Sequence, residues 1–187
     1  MLRDVSLFGV ATKMNRRSFI KGSCSVLLPI SLAESLPAFG SEGRSLAFFN
    51  LHTGESLKTV YWEGGYLPGS LTEINRIFRD HRNGEVHAIS PKLLDALFAL
   101  SSRLETRTAF EIISGFRSPV TNARLRQEGH NVAEHSLHMD GMAVDIRLAD
   151  RALPKLRDAA LSLKAGGVGY YPADNFVHID VGRVRFW

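Results

Sequence analysis

The chain has 187 residues, room for one domain with a full hydrophobic core and a terminal extension, but cramped for two. Apolar residues at 44% and charged residues at 22% exclude a disordered chain or a membrane-embedded body. The net charge of +4 gathers at the N-terminus, where Arg3, Lys13, Arg16, Arg17 and Lys21 face only Asp4 and Glu34, so the remainder is close to neutral and lacks the basic footprint of a nucleic-acid-binding surface.

Residues 1–40 read as an export signal. Arg16-Arg17-Ser18-Phe19-Ile20-Lys21 has the form of a twin-arginine signal, a modest apolar run follows from Val26 to Leu36, and Ala38-Phe39-Gly40 supplies small residues for cleavage, expected after Gly40. Pro29, Glu34 and Pro37 interrupt that run too often for a permanent membrane span. Met14 heads the signal so naturally that residues 1–13 read as a start-site artefact. The single cysteine, Cys24, falls in the segment to be removed, and Lys21 stands where a lipidated cysteine wants an apolar residue. The mature chain, residues 41–187, therefore has neither disulfides nor thiolate chemistry, and any metal must be held by nitrogen and oxygen.

Leu46–Asn50 and Ser56–Trp62 are β-rich runs around His52-Thr53-Gly54-Glu55 and predict a hairpin. Ser70-Leu71-Thr72-Glu73 has the pattern of a capping box and opens a helix expected to reach about Arg82. Ser90-Pro91 starts a second helix with Leu93, Leu94, Leu97, Phe98 and Leu100 on its apolar face. Phe110–Ile113 reads as a strand, Pro119–Gln127 as a short helix, Met142–Leu148 as a strand and Leu153–Ala165 as a helix stopped by Gly166-Gly167. Strands at Val168–Tyr171, Phe176–Val181 and Val184–Trp187 complete the chain. Helices early and strands late, with short links between the last strands, predict an α+β domain whose antiparallel sheet carries packed helices.

Two segments spend polar residues where apolar ones would pack without desolvation. In SLHMDGMAVD, Gly141 permits a turn that carries His138 on a loop and Asp145 on the strand after it. In NFVHID, period-two alternation puts Phe176, His178 and Asp180 on one face. If the two strands are neighbours, His138, Asp145 and His178 form the three-ligand set of a catalytic zinc site with a position left for water. From spacing alone, hydrogen-bonded histidines and capping or salt-bridged aspartates are the competing reading.

Ser136, His138, Gly141, Ala143 and Asp145 match Ser-x-His-x-x-Gly-x-Ala-x-Asp without a gap, which resembles the zinc motif of the M15 peptidases, the D-alanyl-D-alanine peptidases that share the hedgehog fold. Asn50–Glu55, Ser114–Ser118, Ala165–Tyr171 and Asn175–Asp180 extend the resemblance to the murein endopeptidase K branch of that group, over Arg16–Trp187. The resemblance implies a hedgehog/DD-peptidase-like fold and a periplasmic peptidase with one Zn2+ per chain. It acts on peptidoglycan stem peptides, at cross-links between two diaminopimelates or between D-alanine and diaminopimelate. A non-catalytic zinc-stabilised wall-binding module and a D,D- or L,D-carboxypeptidase are the alternatives.

Under this resemblance His138, Asp145 and His178 hold the metal, and Arg117 of SGFRS matches the family arginine that stabilises the oxyanion. The glutamate or histidine that related enzymes use as base is replaced by Asn175 and Phe176. Asp180 is then the first candidate base or a partner for a ligand imidazole, with Asp174 and His135 behind it. Ser136, Tyr170 and His52 are the candidates for substrate contact, with Tyr171 beside Tyr170 as a second aromatic that could line the cleft or join the core, although a turn placement is the favoured reading for His52. The molecule reads as a monomer.

Overall fold

The computed structural model describes residues 43–130 and 132–187, so the predicted signal lies outside the described residues. The hairpin forms as expected from β1 (Arg44–Asn50) and β2 (Ser56–Trp62). Its turn is closed by the Asn50 side chain, whose Oδ1 accepts from the amides of His52 and Thr53. α1 (Pro68–Ile77) starts before the expected capping box, because Pro68 presets the first turn. Ser70 consequently lies inside the helix, where its hydroxyl accepts from Thr59. α1 also stops short of Arg82, since Asp80 leaves the helix to receive the amide and hydroxyl of Ser118.

α2 (Pro91–Arg103) is followed by β3 (Phe110–Ser114), α3 (Pro119–Gln127), β4 (Ala143–Leu148) and α4 (Leu153–Leu163). α4 ends at Lys164 in the left-handed conformation, two residues before the glycines expected to stop it. β5 (Gly167–Tyr171), β6 (Phe176–Asp180) and β7 (Arg185–Phe186) close the chain.

The seven strands make one sheet in the order β2-β1-β3-β4-β6-β5-β7. The domain is α+β as expected, but the sheet is mixed and not antiparallel throughout: β1 pairs parallel with β3, and β5 with β7. The reason is that each parallel pair joins strands that are not consecutive. β2, α1 and α2 lie between β1 and β3 in the chain, and β6 lies between β5 and β7, which leaves enough chain for a parallel return.

β4 and β6 are neighbours in the centre and are buried on both faces. Val144, Ile146, Val177 and Ile179 join Leu93, Leu97 and Leu156 of the helices in the hydrophobic core. The alternate residues, Asp145, His178 and Asp180, stand on the opposite face.

Candidate metal centre and its cavity

The β4–β6 register places Asp145 opposite His178, so period-two geometry alone puts carboxylate and imidazole side by side. His138 arrives from the loop before β4. That loop is pinned by the Ser90 amide on the Gly141 carbonyl (2.9 Å), the Met142 amide on the Leu137 carbonyl (2.9 Å) and the Arg117 amide on the His138 carbonyl (3.1 Å). Gly141 adopts φ +63°, and a Cβ there would lie 2.2 Å from the Ala88 carbonyl oxygen, so no other residue fits this turn unchanged.

Three donor atoms converge. His138 Nε2 is 3.1 Å from His178 Nδ1 and 3.3 Å from Asp145 Oδ1, and the last two are 2.9 Å apart. These separations approach the edge of a tetrahedron around zinc, about 3.3 Å for bonds of about 2.0–2.1 Å. Protonation makes the case stronger. His138 Nδ1–H donates to the Gly115 carbonyl (2.7 Å) and His178 Nε2–H to Asp180 Oδ2 (3.1 Å), so each imidazole commits one proton outward and turns its other nitrogen toward the centre. Three such buried atoms facing one another call for positive charge between them, which a metal ion or a proton on His178 can supply. His138, Asp145 and His178 are the one such group of potential ligands among the described residues.

The electrostatics agree. Burial works against the charged form of His178, but its hydrogen bonds to Asp145 and Asp180 outweigh this and raise its affinity for a proton, which stands in for a metal cation. Burial likewise opposes ionisation of Asp145, yet His138 and His178 hold it well below the usual carboxylate range. Arg117 is 8% exposed, its nearest carboxylate is Asp145 at 3.8 Å, and its Nε has no hydrogen-bond partner. Burial lowers its pKa more than that carboxylate raises it.

The centre opens onto a cavity of about 190 Å3 that Arg117, His135, Ser136, Tyr171, Arg185 and Trp187 help to line. Ser136, a candidate for substrate contact, is among the lining residues. Two expectations are corrected by the placement of the side chains, while His52 lies in the β1–β2 turn, its favoured reading. Asp180 does not line the cavity: it is fully buried, and its oxygens already accept from His178, Arg185 and the amides of Gly167 and Gly182. Burial opposes its ionisation, but those donors, His178 first, hold it well below the usual carboxylate range, so it is a poor proton acceptor. Tyr170 points to the core face with the Arg157 guanidinium over its ring, and Tyr171 takes its place in the cavity. His52 stacks on His81 at 3.8 Å and bonds the Ile113 carbonyl, away from the cavity.

Arg185, Phe176 and Trp187 are lining residues that the sequence reading did not single out. Phe176 was legible, since it shares the alternating face of His178; nothing local marks Trp187. A larger cavity of about 700 Å3, between β1 and the segment linking α2 to β3, includes Glu105 but contains no group of metal ligands.

Comparison with known proteins follows the same line. Residues 38–187 match an M15 peptidase family model described as peptidoglycan L,D-endopeptidase MepK. Over 156 residues the chain is 46% identical to the peptidoglycan L,D-endopeptidase MepK of Escherichia coli strain K12, covering 81% of this chain and 86% of that protein. It is 40% identical over 146 residues to the probable peptidoglycan L,D-endopeptidase MepK of Haemophilus influenzae, covering 77% and 78%.

Proposed function

The chain belongs to the peptidoglycan L,D-endopeptidase MepK family of M15 peptidases, and from that premise we propose a zinc-dependent enzyme that hydrolyses the bond between two diaminopimelate residues joining neighbouring stem peptides. Membership makes it a peptidoglycan hydrolase; the metal, the bond and the residue roles are the proposal. The observation that carries it is the convergence of three buried ligand atoms within 3.3 Å of one another at the cavity wall.

His138 Nε2, Asp145 Oδ1 and His178 Nδ1 hold the metal. When bound, zinc supplies Lewis acidity toward a scissile carbonyl and a lowered pKa for a water molecule. Arg117 faces the same cavity with an under-partnered, desolvated guanidinium, ready to pair with the oxyanion that develops as the carbonyl is attacked. Apart from the ligands, His135 is the one imidazole that lines the cavity among the described residues, and it takes the role of proton carrier in place of Asp180. Ser136 and Tyr171 offer hydroxyls to the peptide backbone.

The expected site of action is the periplasm, reached by the twin-arginine route. Among the described residues no helix is long and apolar enough to cross a membrane.

The test uses purified mature chain and defined muropeptide dimers. One zinc per chain, chelator-sensitive cleavage of the diaminopimelate cross-link into two stem peptides, and recovery on adding Zn2+ are expected. Undiminished cleavage by metal-free protein overturns the proposal, as does a zinc-loaded protein that only trims terminal residues or cleaves nothing.

A further inference from the structure

β7 is the edge strand of the sheet, hydrogen-bonded to β5, yet its side chains reach past β5 to β6. Arg185 lies opposite Gly167 in the parallel register, and its guanidinium forks onto Asp180, with Nη2 2.7 Å from Oδ2 and Nη1 3.2 Å from Oδ1. Asp180 Oδ2 is the same oxygen that accepts from His178 Nε2–H. A chain of contacts therefore runs from the sheet edge to a residue of the metal centre. Trp187 follows the same path: its ring centre is 5.3 Å from that of His178, its Nε1–H donates to Tyr171 Oη (2.7 Å), and the Arg185 guanidinium lies 5.0 Å over its ring.

This reach depends on two missing side chains. A Cβ on Gly167 would fall 2.4 Å from Asp180 Oδ2 and 2.7 Å from Arg185 Nη1, and one on Gly169 would fall 2.7 Å from the Trp187 indole. Both glycines lie on the face of β5 that carries His178 on β6, since Gly169 pairs with His178. The period-two glycines of GGVG are thus a channel for Arg185 and Trp187.

We propose that Arg185 is a positioning residue: by fixing the plane of the Asp180 carboxylate it holds the His178 imidazole with Nε2–H outward and Nδ1 toward the metal position. A guanidinium fork matches a carboxylate in two dimensions, where a single donor would leave it free to rotate. His178 depends on this more than His138, whose Nδ1–H is held by the backbone carbonyl of Gly115. The outcome is a centre with two different imidazole attachments, Nε2 of His138 and Nδ1 of His178. The inference rests on the reading that these residues bind zinc.

The first measurement needs no variant: long-range 15N–1H spectra of histidine-labelled, zinc-loaded wild-type chain. One histidine coordinated through Nε2 and one through Nδ1 is expected. Coordination through Nε2 by both, with one zinc bound, overturns this inference alone, whereas a wild-type chain that takes up no zinc overturns the underlying reading with it. The second measures Zn2+ affinity by competition with a chromophoric chelator in Arg185→Gln and Arg185→Lys. Gln is expected to weaken binding about 10- to 100-fold and Lys, which keeps the charge but not the fork, by less. In an Asp180→Asn background the Arg185→Gln effect disappears. Wild-type affinity in Arg185→Gln, an undiminished effect without Asp180, or a rise in KM at unchanged zinc affinity overturns the proposal. Should Arg185→Gln fail to fold, the Lys variant and the spectra still decide.

Discussion

Arg117→Met separates stability from chemistry. The guanidinium is 8% exposed, its contacts to Asn122 and Ser114 are long at 3.4 Å each, and its Nε has no partner. Its ion pair with Asp145 at 3.8 Å is worth about 4 kcal/mol at an effective dielectric constant of about 20. The desolvation of a buried ion also runs to several kcal/mol, so the two terms nearly cancel. Removing one partner of a buried pair costs about 3–5 kcal/mol when the other charge is stranded, but Asp145 keeps its contacts to His138 and His178, so a methionine of similar volume is expected to cost less than that. In the reaction the balance differs, because a developing oxyanion meets a cation whose desolvation the fold has already met. Losing it should lower kcat by about 10²–10³, or about 2.7–4 kcal/mol, with little change in KM. The assay is steady-state cleavage of cross-linked dimers by mass spectrometry, with zinc content and thermal midpoint measured on the same preparation. A zinc-replete Arg117→Met protein with kcat within tenfold of wild type refutes the reasoning. So does loss of zinc in step with activity, which would make the arginine a support for Asp145.

Three further outcomes follow from the same contacts. Gly141→Ala, forced into φ +63° against the Ala88 carbonyl, should destabilise the metal-free chain by about 1–3 kcal/mol, read as a lower thermal midpoint; an unchanged midpoint would show that the His138 loop is not pinned as described. Asp180→Asn should weaken zinc binding while kcat at saturating zinc stays within tenfold of wild type, whereas a general base lost from that position would lower kcat by about 10²–10⁴. The third concerns His81, whose pKa is pushed down to about 4, chiefly by burial and further by Arg82 and His52. Its folded value lies below its unfolded one, so its contribution is present above pH 6.5 and is lost as the pH falls toward 4. His81→Phe should flatten the loss of urea resistance across that window, and identical slopes for both proteins would refute the assignment.

Much of this was legible because it is local. The Ser-x-His-x-x-Gly-x-Ala-x-Asp spacing places a turn between His138 and Asp145, and alternation along Phe176–Asp180 puts His178 on one face whatever the strand pairs with. What failed depends on partners distant in sequence. Tyr170 and Tyr171 differ by one step of the pleat, and only the register that sets Gly169 against His178 decides which of them faces the cavity. Asp180 has the composition of a base, and its four kinds of donor, which disqualify it, come from β5, β6, β7 and the turn after β6. His52 sits on the hairpin turn, as the favoured reading had it, and the pairing of β1 with β3, which no local pattern shows, sets it against Ile113. The parallel pairs escaped for the same reason: sequence order shows how short a link is, not which earlier strand the chain returns to.

The central strands explain how a chain with no cysteine among its described residues gathers a candidate metal centre. Strands exposed on one face would leave Asp145 and His178 in water, where their lone pairs cost nothing and bind a cation weakly. β4 and β6 are instead covered on both faces, by Val144, Ile146, Val177 and Ile179 packed toward the helices on one side and by Arg117, Trp187 and the His138 loop on the other. Burial turns the same three donors into an unfavourable cluster that a cation relieves, so metal affinity is drawn from the packing that excludes water. One proton of each imidazole is committed outward, to Gly115 and to Asp180, which leaves two nitrogens and one carboxylate oxygen as the inward set. That set suits a borderline cation of the zinc type better than a hard cation such as Mg2+, which favours oxygen and water.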